Sequence, residues 1–155
     1  MDRSLRVEQA VDPAGELTVR IGHELADAYL IFLRARARPN TVLATAFDLK
    51  VLLCWARKEP SEVTSRDVID FVAAQRAPRA GVNVVRISDG GSGLSSRTVA
   101  RRLSSISGFF SYLMVRSDCG VNTSPVPRGL INRRARRNGG RATPIVRTPK
   151  LLPRI

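Results

Sequence analysis

Residues 94 to 113, LSSRTVARRLSSISGFFSYL, place apolar side chains three and four positions apart, a spacing that predicts a helix with one buried side. At the helical turn angle, Val99, Leu103, Ile106, Phe110, Leu113 and Met114 share one arc, and Arg97, Arg101, Ser104, Ser105 and Gly108 lie roughly opposite. A chain carrying such a helix must supply apolar partners for it, and the economical way to do so is a bundle of further helices. The opposite arc contains no acid. Solvated helix sides ordinarily mix both charge signs so that neighbours can pair, whereas this one offers donors and small residues and is expected to be free. Small residues beside arginines allow close approach to a bulky anion. A helix also fits the major groove of DNA, where arginine reads guanine edges and serine bonds phosphate. The helix alone leaves a plain solvated basic side open as the alternative.

Three more helices are predicted upstream. Ile21, Leu25, Ala28, Tyr29, Phe32 and Leu33 form the stripe of a first helix over about 19 to 36. Pro39 and Asn40 interrupt the chain, and a second helix over 41 to 58 is apolar around most of its circumference, which predicts a central position. Thr64 and Asp67 have capping-box spacing and Val63 and Val68 that of a hydrophobic staple, so a third helix is expected over 65 to 76. Residues 77 to 94, with Pro78 and Gly81, Gly90, Gly91 and Gly93, read as a long mobile loop, and Ser95 or Ser96 caps the fourth helix.

Charge divides the chain. Lysine and arginine number 26 against 13 acids, and only Lys50, Lys58 and Lys150 are lysines. Arginine favours planar oxyanions, which it binds through two parallel hydrogen bonds, so nucleic acid leads as partner, with an anionic membrane surface or an acidic protein as alternatives. Residues 1 to 118 hold all 13 acids against 17 basic residues, whereas 119 to 155 hold nine basic residues and no acid. The expected organisation is a disordered segment over 1–17, a helical domain over 18–120 and an arginine-rich tail over 121–155, with prolines that discourage helix. His23 is the only histidine, and Cys54 and Cys119 lack ligand spacing, so neither a metal site nor a disulfide framework is implied. Cys54, in an apolar run, is expected to pack as a small hydrophobe. With no signal-peptide pattern and no apolar run long enough to cross a bilayer, a cytoplasmic, nucleoid-associated protein without membrane or small-molecule partners is expected.

The order of the pieces PNTVLATAFDLKVLLCWARK, VTSRDVIDFVAAQR, LSSRTVARRLSSISGFFSYL and NTSPVPRGL resembles the N-terminal core-binding domain of tyrosine recombinases, the phage-integrase family, closest to the actinobacterial type. The similarity covers about residues 20 to 155, including the arginine-rich stretch that ends RTPKLLPRI. It implies an all-α, four-helix SAM-like bundle forming half of a clamp around double-stranded DNA. In the family, helices similar to residues 40–58 and 95–114 enter DNA grooves. Carried over position by position, this implicates Thr41 and Ala44 on the second helix, and Arg97, Arg101, Arg102 and Ser105 on the fourth. The tail, with Arg133, Arg134, Arg136 and Arg137, corresponds to the linker that lies along the duplex. Two positions depart from the pattern. Leu43 and Thr45 stand where relatives often have a basic residue and a tyrosine, and Asn122 is displaced from Pro125.

The family cleaves DNA with a tyrosine nucleophile supported by arginines, a lysine and histidines in a second domain. The resemblance ends where that domain would begin, so no catalysis and no cofactor are expected, and the chain reads as an integrase fragment. Tyr29 and Tyr112 are expected to be packing residues, His23 to sit on a solvated first turn, and Trp55 to anchor the core. Two rivals stand beside DNA binding. One is a regulator that competes with full-length integrase or joins its protomers through the first helix. The other is a basic RNA- or ribosome-binding protein, against which stands the scarcity of aromatics near the basic arc, where only Phe109 and Tyr112 are expected.

Overall fold

The computed structural model describes residues 4–78 and 93–131. The chain enters through a β-hairpin, in which β1 (Glu8–Val11) pairs antiparallel with β2 (Leu17–Arg20), Glu8 opposite Arg20 and Val11 opposite Leu17. Residues 4–17, the described part of the segment expected to be disordered over 1–17, are therefore ordered. Leu5 and Val7, then Leu17, Val19 and Ile21, alternate with a period of two. The first three pack partly buried against the core, and Val19 and Ile21 are fully part of it. The Asp12 carboxylate closes the turn by accepting the backbone N–H of Ala14 and of Glu16, each at 2.9 Å. Those N–H groups, helped by the guanidinium of Arg34, hold the Asp12 carboxyl below its ordinary range.

The strand makes the first helix begin later than periodicity alone suggests. Gly22 turns the chain at φ 86°, and α1 spans Glu24–Arg34, not 19 to 36. His23, expected on a solvated turn, is half-buried and caps α1, its Nδ1 accepting the Ala26 N–H at 3.5 Å while Nε2 lies 3.5 Å from Glu59. Pro39 starts α2 (Pro39–Ala56) instead of interrupting the chain, because a first-turn proline gives up only an N–H that has no partner within the helix. Helix α2 is central as expected: it packs against β2 and α1 as well as the two helices that follow it.

A short 3₁₀ turn at Pro60–Glu62 leads into α3 (Ser65–Arg76), whose bounds and caps match the sequence reading. Thr64 Oγ1 accepts the Asp67 N–H at 3.2 Å and the Asp67 carboxylate accepts the Thr64 N–H at 2.8 Å, with Val63 and Val68 both buried. That backbone bond, reinforced by Lys58 at 2.9 Å, lowers the Asp67 pKa to about 2. Helix α4 (Ser96–Arg116) is capped by Ser95, whose Oγ accepts the Thr98 N–H at 3.2 Å. Most of the loop expected over 77–94 lies outside the described residues. Its ends are joined, the Leu94 N–H donating to Gln75 O at 2.9 Å and Arg76 to Leu94 O at 2.7 Å.

The core centres on Leu30, Leu49, Leu52, Phe71, Ile106, Phe109, Phe110 and Leu113. Gly108 lets α1 cross α4 closely, since a Cβ there would come 2.7 Å from the Tyr29 hydroxyl. The packed unit continues past the expected boundary at 120: Val121 and Val126 are buried, and α5 (Arg128–Ile131) lies against α4. Three side chains assigned to packing are more open than expected. Met114 is partly exposed, Cys54 is exposed, and Trp55 stands at the rim, edge-on to Phe71 at 5.5 Å. Phe109, expected near the basic arc, is fully buried.

Candidate nucleic-acid interface

Asp48 sits in the middle of α2, the most apolar helix, and its side chain is 0% exposed. A lone buried carboxylate would be costly, and α4 supplies the compensation. Arg101 donates to it through two parallel bonds, Nη1 to Oδ2 at 2.8 Å and Nη2 to Oδ1 at 3.0 Å. Arg102 Nε donates to Oδ1 at 3.2 Å, and Ser105 Oγ donates to Oδ2 at 2.8 Å. Four donors thus meet the roughly four acceptor sites of a carboxylate. Arg102 Nη1 also donates to Gln75 Oε1 of α3, so the cluster joins three helices. Among the described residues no buried side-chain polar atom lacks a partner.

This geometry corrects the expectation that the polar arc of α4 is free. Arg102, 14% exposed, is consumed by Asp48 and Gln75, and the Ser105 proton is committed to Asp48. Ser104 Oγ is committed as well, donating to Ala100 O at 3.1 Å. Arg101 differs, because its side chain remains 50% exposed. Its end-on hold uses two of the five guanidinium N–H groups and leaves three without a partner among the described residues. Arg97, one turn earlier, is exposed and has no ion pair among the described residues. Two guanidinium groups against one carboxylate leave the cluster with a net positive charge, and α4 contains no acid to offset it.

Thr41, Ala44 and Asp48 fall on one side of α2, spaced three and four apart, and Asp48 touches α4, so that side borders the basic helix. Thr41 is exposed and Ala44 half-buried. Arg133, Arg134, Arg136 and Arg137 lie outside the described residues. The sequence reading missed Asp48 and Gln75. Its available signal for Asp48 was an acid within the least polar helix, which only a paired charge allows.

Other features of the described residues bear on the remaining expectations. Tyr29 is buried against α4, and Tyr112 stacks with Phe32 at 5.1 Å, so both tyrosines are packing residues. No group of three or more His, Cys, Asp or Glu side chains could hold a metal ion among the described residues. No described helix is long and apolar enough to cross a membrane.

A mostly helical unit whose α2–α4 face carries the arginines of α4 is the class this arrangement defines. The family model described as phage integrase, N-terminal SAM-like domain, matches residues 26–117, from the first turn of α1 to the residue after α4. The chain belongs to that family, and its role accordingly lies in site-specific recombination. No curated protein and no solved structure matches the chain. The β-hairpin precedes the matched region.

Proposed function

We propose that the chain binds double-stranded DNA as the core-binding part of a site-specific tyrosine recombinase, with duplex recognition, not strand cleavage, as its contribution. The observation that carries this is the pair Arg97 and Arg101 on an acid-free stretch of α4, with three donors of Arg101 left available on a half-exposed guanidinium. Thr41 and Ala44 give the bordering side of α2 little bulk, which suits close approach to a phosphate backbone. The tail arginines Arg133, Arg134, Arg136 and Arg137 add sequence-independent attraction in this reading. A fluorescence-anisotropy titration with a labelled duplex at 50 to 200 mM salt, challenged by unlabelled duplex or single-stranded RNA, tests it. Duplex should compete at lower concentration than RNA, and replacing Arg97 and Arg101 together by alanine should lower the slope of log K against log salt by about 0.9 for each phosphate no longer neutralised. Equal competition by RNA contradicts the proposal. Support for duplex over stacked single strands comes from Phe109, which is buried, and Tyr112, which is engaged with Phe32, so that on α4 neither offers a free ring beside Arg97 and Arg101. Phe47 of α2, next to Asp48 in sequence, is the exposed ring nearby.

A second role, joining integrase protomers through α1, draws support from Ile31 and Phe32, which remain 60% and 44% exposed. Sedimentation with full-length integrase should show a mixed species that Ile31→Ser abolishes. Its absence at micromolar concentration removes this role.

A further inference from the structure

We propose that Asp48 is a positioning residue for the DNA contact: it holds the Arg101 guanidinium in one orientation on the α2–α4 face, while Arg102 supplies the charge that lets Asp48 remain buried. This rests on the duplex-binding reading above and adds a division of labour within it. Arg101 and Arg102 are adjacent and chemically identical, yet the fold treats them differently. Arg102 is 14% exposed and bonded to both Asp48 and Gln75, whereas Arg101 is 50% exposed and bonded to Asp48 through its two terminal nitrogens. A free surface arginine samples many rotamers and gives up that freedom on binding. A two-point hold on a fully buried carboxylate has already removed it, and it fixes the plane of the fork as well as its position. Ser105, bonded to the same oxygen as Arg101 Nη1, fixes the carboxylate from the C-terminal side.

The expected effect of removing the acid is opposite in sign to simple electrostatics. Removing an acid raises the net charge of a DNA-binding surface, and on charge alone Asp48→Asn should bind duplex more tightly. If Asp48 positions Arg101, the same variant binds less tightly, because an amide offers one acceptor oxygen and turns an N–H₂ toward the fork. The test is a double-mutant cycle of Asp48→Asn, Arg101→Ala and both together. Duplex affinity is measured at several salt concentrations, on protein whose helical circular dichroism and melting curve show it folded.

The expected result is about a threefold to tenfold loss for each single variant and no further loss in the double. The salt slope should fall by about 0.9 in all three, as for one phosphate that no longer meets its guanidinium. Arg101→Lys extends the test to a variant whose half-exposed position does not threaten folding. It keeps the charge without the two-point hold and should bind within about twofold of Arg101→Ala. Additive losses in the cycle overturn the positioning role while leaving duplex binding by Arg101 intact, as does Arg101→Lys binding like the unaltered protein or Asp48→Asn binding as well or better. If Arg97→Ala and Arg101→Ala both bind duplex normally, α4 is not the contact and this inference fails with it, while duplex binding itself stands on the tail arginines. Equal competition by single-stranded RNA is the separate result that overturns the duplex reading.

Discussion

Two arginine clusters tie this fold together, and they differ in what they protect. At the α1–hairpin junction, Arg34 reaches Asp12 at 3.0 Å and also Glu16, and all three side chains keep substantial contact with solvent. At the α2–α4 junction, Asp48 is fully enclosed and meets Arg101, Arg102 and Ser105. Water screens the first cluster, so losing a partner leaves groups that hydrate readily. The second has no such escape, since removing one partner strands a buried charge. Similar chemistry therefore fastens a peripheral hairpin in one place and holds the bundle's centre in the other. Only the second lies beside the proposed DNA contact.

The largest expected effect is at the centre. Asp48→Ala should destabilise the protein by about 3–5 kcal/mol in urea denaturation, because Arg102 is left buried without its counter-charge. A loss no greater than about 1 kcal/mol would mean that the two clusters are equivalent. Replacing Asp48, Arg101 and Arg102 together with leucine sharpens the contrast. A well-packed apolar substitute for a buried ion cluster is often neutral or stabilising, so the triple variant should recover most of the stability that Asp48→Ala forfeits and still bind duplex poorly. Recovery of both would show that the charges serve packing alone.

How much of this was legible in the sequence follows from distance along the chain. Helix α3 was readable to its terminal residues because Thr64 and Asp67 satisfy each other's backbone within one turn, and the Ser95 cap of α4 is equally local. The hairpin was not, because its strands are four residues each and every residue of β1 is exposed. The alternation that buries Leu17, Val19 and Ile21 crosses into what helical spacing claimed for α1. The spine of α4 was legible but the state of its polar arc was not. The partner of Arg101 lies 53 positions away, and only the packing of α2 on α4 brings the two together. An arc that looks unpaired in sequence can be paired in space, which leaves Arg97 and the outer edge of Arg101 as the donors still available there.

Smaller effects belong to the hairpin. Arg34→Ala should speed amide exchange across Glu8–Arg20 while leaving the unfolding midpoint of the helices unchanged, and a matching fall in both would join the hairpin to the central cooperative unit. The hairpin should also loosen in acid. The folded-state pKa of Asp12 lies below its ordinary 3.8, so its contribution is fully present above that value and is lost as pH falls through the depressed one. Asp67 behaves alike, its capping contribution fading from about 3.8 down through about 2. Side-chain carboxyl titration by NMR checks both, and midpoints at or above the ordinary value would contradict the bonding described.

The most direct test of the central claim is an amide chemical-shift map of the labelled protein titrated with duplex DNA at moderate salt. Perturbations should concentrate on residues 41–48 of α2 and 97–105 of α4, leaving the hairpin near its free positions. Shifts confined to the hairpin, or absent from both helices while binding persists, would contradict the assignment of the α2–α4 face.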